Sequence, residues 1–287
     1  MWPLLGALAV FAAEAGAEDC GGSGTEGILV TEESGSYTCQ PSTGGPFPGV
    51  LYSHGGKNGL IGGDLQGTCE ALARAGYLAY AKFRLDPPGK TIPLHALEVE
   101  QALTHLLGLL DVDTTRIGVI GYSRGGTLTY ALAESQNEVI DATILLAPAA
   151  AGSYLQNQTA DVSPIDAPVF VGVAENDLYQ DDHVTLANDL VAALTDGEKH
   201  VFYYPYPHYP DLSCPGCDGH QVFQVVDDEY TDYWCDVEDF LSLHVAGETI
   251  DLPGLGAPGA AIAVLALLLG AGWMHQSRKQ SSLSNTE

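Results

Sequence analysis

The chain has 287 residues, of which 46% are hydrophobic and 16% are charged, so the composition excludes an intrinsically disordered chain. Asp and Glu outnumber Lys and Arg by 37 to 10, and the formal net charge of -27 excludes nucleic acids and anionic lipid headgroups as partners. Between apolar segments at the two ends, residues 18–250 are predicted to form one domain.

The amino-terminal segment has features of an export signal. Residues 4–13 form a short apolar run, and small residues follow at 15–17, as at a signal peptidase cleavage site. The basic residues that usually precede such a run are missing, which leaves a buried amino-terminal segment as the alternative. We expect a signal peptide at residues 1–17 and a mature protein that is extracellular or on the cell surface.

The six cysteines form an even set, which favours disulfides over free thiols in an exported chain. Cys20 and Cys39 lie in the same amino-terminal segment and are predicted to pair. Cys214 is expected to pair with either Cys217 or Cys235.

Short apolar runs alternate with amphipathic stretches through the body of the chain. The runs are apolar throughout, like strands that are buried on both faces of a parallel sheet. They lie at residues 48–53, 77–83, 116–122, 142–147, 168–173 and 200–204. Helices are predicted around 71–75 and 103–110 and at 184–194 and 237–245. The alternation predicts an α/β fold with a mainly parallel central sheet and helices on both faces.

The motif Gly-Tyr-Ser-Arg-Gly-Gly at residues 121–126 directly follows one of these strands and precedes a helical stretch. In this setting the serine of a G-x-S-x-G motif lies on a strained turn, and the flanking glycines avoid collisions with neighbouring backbone. With 34 glycines in the chain, the bare motif would mean little without the strand and the helix. Ser123 is therefore predicted to be a catalytic nucleophile.

A second glycine-rich turn, His-Gly-Gly at residues 54–56, follows the first predicted strand. Backbone N–H groups in this turn can face the oxyanion of a tetrahedral intermediate. Gly56 is the expected donor, because a glycine lets the backbone approach the substrate closely, and Lys57 is the next choice. The backbone N–H of Arg124 would complete the oxyanion hole. The Arg124 guanidinium either attracts anionic substrates or, as the simpler expectation, pairs with surface acids.

The acid of a catalytic triad is expected in the loop after a later strand. Asp177 follows the strand at 168–173 and fits both the chain order and the position of such an acid. Its competitors are other loop acids nearby: Asp161, Asp166, Asp181 and Asp182. Asp181 and Asp182 also suit the start of the helix at 184–194.

Two histidines after the last predicted strand compete for the role of general base. His220 is preferred because a glycine precedes it and Phe223 follows it, and His208 is the alternative base. The other histidines are expected to be structural. A zinc site made by Cys214, Cys217 and His220 would need a further ligand such as His208, so neither a metal nor any other cofactor is predicted.

The carboxyl-terminal segment has the features of a membrane anchor. Residues 255–273 are almost all apolar, and Arg278 and Lys279 follow them. The boundaries predicted here are a linker at 251–259, the core of a transmembrane helix at 260–274 and a cytoplasmic tail at 275–287. A buried hydrophobic helix or a tail that is cleaved on export is the alternative.

The motifs together resemble those of the dienelactone hydrolases, a group of α/β-hydrolases, and more loosely those of cutinase-type polyester hydrolases. The likeness covers residues 47–245 and depends on segments 52–56, 116–126, 172–177 and 219–223. It implies the α/β-hydrolase fold and hydrolysis through an acyl-enzyme. Dienelactone hydrolases use a cysteine nucleophile where Ser123 stands, so this chain departs from them at the reacting atom. The insertion at residues 206–219 is a second departure.

The expected function is that of an exported serine hydrolase, a carboxylesterase that acts on small-molecule or polymeric esters or on lactones. Two alternatives remain open at this point: a serine peptidase of the same fold and a catalytically silent surface protein that only binds.

Overall fold

The computed structural model describes residues 27–56, 62–85, 90–177, 182–206, 219–226 and 233–247. The chain divides into two compact units, residues 1–247 and 248–287, and all the described residues belong to the first. The predicted signal peptide, linker, membrane anchor and cytoplasmic tail lie outside the described residues. Among the described residues, no helix is both long enough and apolar enough to cross a membrane.

The described strands form one central sheet in the order β1-β2-β4-β3-β5-β6-β7-β8. The strands are β1 (Ile28–Glu33), β2 (Ser36–Pro41), β3 (Phe47–Ser53), β4 (Leu78–Lys82), β5 (Val112–Tyr122), β6 (Ala142–Leu146), β7 (Val169–Ala174) and β8 (Val201–Tyr206). The pairs β1–β2 and β2–β4 are antiparallel, and every pair from β4 to β8 is parallel. The predicted mainly parallel sheet is therefore confirmed.

Helices cover both faces of this sheet, as predicted. They are α1 (Leu65–Arg74), α2 (Ile92–Leu107), α3 (Arg124–Ser135), α4 (Tyr154–Gln158), α5 (His183–Asp196) and α6 (Tyr233–Leu241), with a 3₁₀ helix at Gly219–Gln224 and a π-helical turn at Ser242–Ala246. One buried core packs α1 and α6 against the sheet, and a second packs α2, α3 and α5 against the other face. The prediction that α2 reaches Leu110 was wrong, because the helix ends at Leu107 with Gly108 as its cap, and Leu110 is fully exposed.

A disulfide joins Cys39 in β2 to Cys69 in α1, with the two Cα atoms 5.6 Å apart. The predicted Cys20–Cys39 pair was therefore wrong. Proximity in sequence was a poor guide, since α1 packs beside β2 and brings together residues that are 30 positions apart. Cys235 is also disulfide-bonded, and the predicted pairing of Cys214 with Cys217 or Cys235 cannot be followed further, since Cys214 and Cys217 lie outside the described residues.

A half-buried acid in α3, Glu134, makes the stability of the fold depend on pH. Burial, reinforced by the nearby Asp161 carboxylate, raises the pKa of Glu134 to about 8 from an ordinary 4.5. Between these two values the folded protein holds a proton that the unfolded chain has lost, so the free energy of unfolding falls as pH rises through this window.

We expect the free energy of unfolding of Glu134→Gln to fall less between the two pH values, because a neutral amide has no proton to lose. Urea unfolding at pH 5.5 and pH 8 would measure it, with Glu138→Gln as the control, since Glu138 lies four residues further on and is exposed. Equal pH slopes in both variants would contradict the assignment to Glu134.

Candidate active site

Ser123 lies at the tight turn between β5 and α3. Its backbone has φ 53° and ψ -120°, a strained conformation for a residue with a side chain. Gly121 has no room for a side chain, because a Cβ there would lie 2.3 Å from the Gly125 carbonyl oxygen. The turn is held to the sheet by a 2.8 Å hydrogen bond from the Ser123 N–H to the Leu146 carbonyl. The hydroxyl is thereby presented at the carboxyl edge of the parallel strands.

Asp177 lies three residues beyond the end of β7 and is fully buried. Its backbone N–H donates to the Ala174 carbonyl at 3.0 Å, which fixes the turn after the strand. The described competitors accept hydrogen bonds at the surface: Asp161 from Ser163, Asp166 from Asn137 and Asp182 from Thr185. The bond from Thr185 is the predicted cap of α5, and Asp181 lies outside the described residues.

His220 lies in the 3₁₀ helix and joins the serine to the acid. Its Nδ1 is 2.8 Å from Asp177 Oδ2, and its Nε2 is 2.9 Å from Ser123 Oγ. Only 5% of the residue is exposed. A carboxylate only accepts hydrogen bonds, so Nδ1 carries the proton and Nε2 is left to accept from the serine hydroxyl. The alternative base, His208, lies outside the described residues.

Two features hold His220 in this orientation. The Tyr122 hydroxyl donates to the His220 carbonyl at 2.7 Å, and the two rings lie 5.0 Å apart. Gly219 permits a close approach to the acid loop, since a Cβ there would lie 2.4 Å from both the Ala174 Cβ and the Asn176 Oδ1. Ser123, Asp177 and His220 are therefore brought together by the ends of β5 and β7 and by the 3₁₀ helix.

The turn after β3, which contains the predicted oxyanion donor Gly56, approaches the serine at Gly55. Gly56 has φ +83°, and a Cβ on the preceding Gly55 would lie 3.0 Å from the Ser123 Cβ. The Gly55 N–H donates to the Gly62 carbonyl at 2.7 Å, which closes the loop on itself. Gly55 thus lies against the serine turn, while Gly56 directly follows Gly55 and Arg124 directly follows Ser123.

His54 fixes the backbone of this turn from the inside. Its Nε2 accepts from the Arg84 backbone N–H at 3.0 Å, and its Nδ1 lies 2.6 Å from the Gly55 carbonyl oxygen. The Arg84 guanidinium also donates to the His54 carbonyl at 2.9 Å. Since an amide N–H only donates and a carbonyl only accepts, the buried His54 ring is the neutral Nδ1–H tautomer.

We expect His54→Ala to lower kcat for an ester substrate about 100-fold with a smaller change in KM, because a displaced oxyanion donor acts mainly on the transition state. Steady-state kinetics would measure the effect, with His105→Ala as the control, since His105 contacts Tyr80 on the exposed side of α2. A folded His54→Ala protein with unchanged kcat would show that the loop needs no such support.

The Arg124 side chain makes a contact with α2 that the sequence did not predict. Its Nε donates to Nδ1 of the buried His95 in α2 at 3.2 Å. No carboxylate in the described part of the chain forms an ion pair with it. The start of α3 packs against α2 at this point, and the expected pairing with surface acids has no support among the described residues.

Sequence reasoning missed a second histidine beside the base. His183, the first residue of α5, is buried, and its ring centroid lies 4.3 Å from that of His220 with 33° between the planes. Its Nδ1 is 3.1 Å from the Pro148 carbonyl oxygen. The position of His183 six residues after Asp177 is the only signal in the sequence, and that spacing has no meaning without the fold. Asp177, His183 and His220 are also the described residues grouped closely enough to hold a metal ion.

A polarised serine, a buried imidazole and a buried carboxylate in this geometry are suited to nucleophilic attack on an acyl carbon. The fold is that of an α/β-hydrolase: the structure resembles esterase B from Lactobacillus rhamnosis, with a TM-score of 0.56 and 15% identity over 76% of this chain and 87% of that one. A bacterial heroin esterase matches with a TM-score of 0.57 and 16% identity over 78% of this chain and 86% of that one.

More particularly, the model of the dienelactone hydrolase family matches residues 93–207, which confirms the resemblance predicted from the motifs. Acyl-coenzyme A thioesterase 3 from Mus musculus is 33% identical over 109 residues, which are 37% of this chain and 24% of that protein. Acyl-coenzyme A thioesterase 2 from Homo sapiens is 30% identical over 109 residues, 37% of this chain and 22% of that protein. The chain thus spans about a quarter of the length of these curated relatives.

Proposed function

We propose that this chain is a serine hydrolase that cleaves carboxylic ester or lactone bonds through an acyl-enzyme. The observation that carries the proposal is the 2.9 Å separation of His220 Nε2 from Ser123 Oγ, backed by the 2.8 Å contact of His220 with Asp177. His220 takes the hydroxyl proton while Ser123 attacks the carbonyl carbon, and Asp177 stabilises the imidazolium that results.

The negative charge that develops on the carbonyl oxygen needs donors on the other side of the serine. The backbone N–H groups of Gly56 and Arg124 are proposed for this role, and each such donor contributes about 3 kcal/mol in comparable enzymes. His220 then gives its proton to the leaving group, and water repeats the sequence to release the acid and restore Ser123.

A fluorophosphonate probe tests the serine mechanism directly, because it bonds covalently to an activated serine hydroxyl. We expect the wild-type chain to be labelled and Ser123→Ala to remain unlabelled. Ser135→Ala is the control, since Ser135 lies at the far end of α3 and bonds Leu132 and Glu100 instead of a base. A wild-type protein that is folded but never labelled would favour a silent surface protein.

Thioester cleavage is the second candidate function, favoured by the 33% identity to an acyl-coenzyme A thioesterase over 109 residues. The same residues would act in both reactions, so the two candidates differ only in substrate. Rates on matched p-nitrophenyl esters and acyl thioesters of graded chain length would separate them. A peptide amide panel in the same assay would test the peptidase alternative.

We further propose that the hydrolase is exported and held at the cell surface. The proposal rests on the apolar segments at residues 4–13 and 255–273, and the Cys39–Cys69 disulfide supports folding in an oxidising compartment. Fractionation of cells that make the full chain, followed by protease treatment of intact cells, would test it. A chain found only inside the cell would rule out export.

A further inference from the structure

The two hydrogen bonds of the His220 imidazole do not by themselves fix the plane of its ring. Its Nδ1 lies 2.8 Å from Asp177 Oδ2, and its Nε2 lies 2.9 Å from Ser123 Oγ. Bonds at these two nitrogens set the direction in which the ring points, but they do not stop it from rocking about the line that joins the two partners. A general base must keep its lone pair aimed at the serine proton, because catalysis falls steeply when reacting groups are misplaced.

His183 supplies a ring contact that restricts this motion. Its ring centroid lies 4.3 Å from that of His220 with 33° between the planes, closer than the 5.0 Å between the rings of His220 and Tyr122. His183 is only 1% exposed, so its ring is enclosed by other parts of the protein. It is the first residue of α5, and Asp182 fixes the start of that helix by accepting from the Thr185 N–H at 3.0 Å.

A hydrogen bond also ties His183 to the turn that carries the nucleophile. Its Nδ1 lies 3.1 Å from the Pro148 carbonyl oxygen, and because a carbonyl only accepts, Nδ1 is the donor. The next residue, Ala149, donates its backbone N–H to the Ser123 carbonyl at 3.1 Å. These backbones pack tightly, since a Cβ on Gly126 would lie 3.1 Å from the Pro148 Cα. His183 is thus linked to the nucleophile turn by a hydrogen bond and to the base by its ring.

We propose that His183 is a positioning residue, whose ring holds the His220 imidazole in the plane that proton transfer from Ser123 requires. The inference rests on the proposed function, since it concerns the same base. The ring is the part that acts, because it touches the base directly, whereas the hydrogen bond to Pro148 reaches only backbone. Since His183 acts through His220, its effect belongs to kcat and disappears when the base is removed.

Two substitutions in the full chain separate the ring from the hydrogen bond. His183→Phe keeps an aromatic ring beside His220 but cannot donate to Pro148, whereas His183→Asn keeps a donor near the position of Nδ1 but has no ring. For an ester substrate we expect kcat to fall about 30-fold in His183→Asn and no more than about threefold in His183→Phe, with KM little changed in both. His183→Gln and His183→Tyr replace either variant that fails to fold. Thermal unfolding of each variant shows whether kcat merely follows stability.

A double-mutant cycle tests whether His183 acts through the base. In the His220→Gln background there is no imidazole to hold, so the addition of His183→Asn should change the remaining hydrolysis by less than about twofold. His244→Asn is the control, since the His244 ring contacts Phe240 and Phe202 instead of the base. That variant should keep the wild-type kcat.

Three results would overturn the role of His183: equal kcat in the phenylalanine and asparagine variants, a loss of kcat that follows thermal stability, or an undiminished effect of His183→Asn in the His220→Gln background. Failure of the proposed function is distinguishable. A folded wild-type chain that neither hydrolyses esters nor takes the fluorophosphonate label removes the reaction itself, and the role of His183 with it. A labelled wild type with equal variants removes only the role of His183.

Discussion

Replacing His220 with glutamine is expected to lower kcat/KM for an ester substrate about 10⁴-fold, whereas His208→Gln should stay within about threefold of the wild type. The reason is that His220 Nε2 already lies 2.9 Å from the serine oxygen and its Nδ1 lies 2.8 Å from the buried acid. Glutamine can keep a hydrogen bond to one of these partners but cannot carry a proton from serine to the leaving group. The loss should fall on kcat, with KM little changed.

The comparison of the two histidines also decides which base the chain uses. Thermal unfolding of both variants would show that the loss is chemical, and fluorophosphonate labelling should fall in parallel with kcat/KM in His220→Gln. If His208→Gln lost more activity than His220→Gln, the base would have to be reassigned to residue 208. The contact between Asp177 and His220 would then have to be a resting arrangement that rearranges on substrate binding.

The parts of the fold that were predicted from sequence are those with a local signal. The runs that became β3 and β5 to β7 are apolar on both faces, so burial in a parallel sheet was visible in the residues themselves. The hairpin of β1 and β2 was missed because β1, Ile-Leu-Val-Thr-Glu-Glu, has neither the alternation of a half-buried strand nor the all-apolar run of a buried one. That hairpin joins the sheet through antiparallel pairing of β2 with β4, a contact between distant segments.

The residues of the candidate site also divide into those with a local signal in the sequence and those without one. Ser123 directly follows β5 and Asp177 lies three residues after β7, so their place at the carboxyl edge of the sheet could be predicted from chain order. His220 was preferred to His208 because a glycine precedes it. The structure shows why a glycine suits that position, since a side chain on residue 219 would collide with Ala174. His183 could not be found in this way, because its closeness to His220 depends on how α5 packs against a distant loop.

Replacement of Gly125, the glycine after Arg124, is expected to have a second large effect, on both stability and activity. Gly125 lies in α3, where helix propensity alone predicts that alanine would stabilise the helix by about 1 kcal/mol. A Cβ at this position would lie 2.0 Å from the Ser53 carbonyl oxygen and 2.6 Å from that of His54. Both atoms belong to backbone at the end of β3, which is held between β4 and β5 and cannot move aside cheaply. Helix propensity thus predicts that Gly125→Ala stabilises the protein, whereas packing predicts that it destabilises it.

We expect the packing effect to be the larger one, so that Gly125→Ala lowers the free energy of unfolding by about 3 kcal/mol or more. The variant should also lose most of the hydrolytic activity. Urea unfolding would measure the first effect and ester hydrolysis by the remaining folded protein the second. The control is Gly108→Ala at the end of α2, where the nearest atom to a new Cβ is 3.4 Å away and the backbone is helical. That variant should be neutral or slightly more stable. A Gly125→Ala protein as stable as Gly108→Ala would mean that α3 and the turn after β3 can separate. The close approach of Gly55 to Ser123 would then not be fixed by the fold.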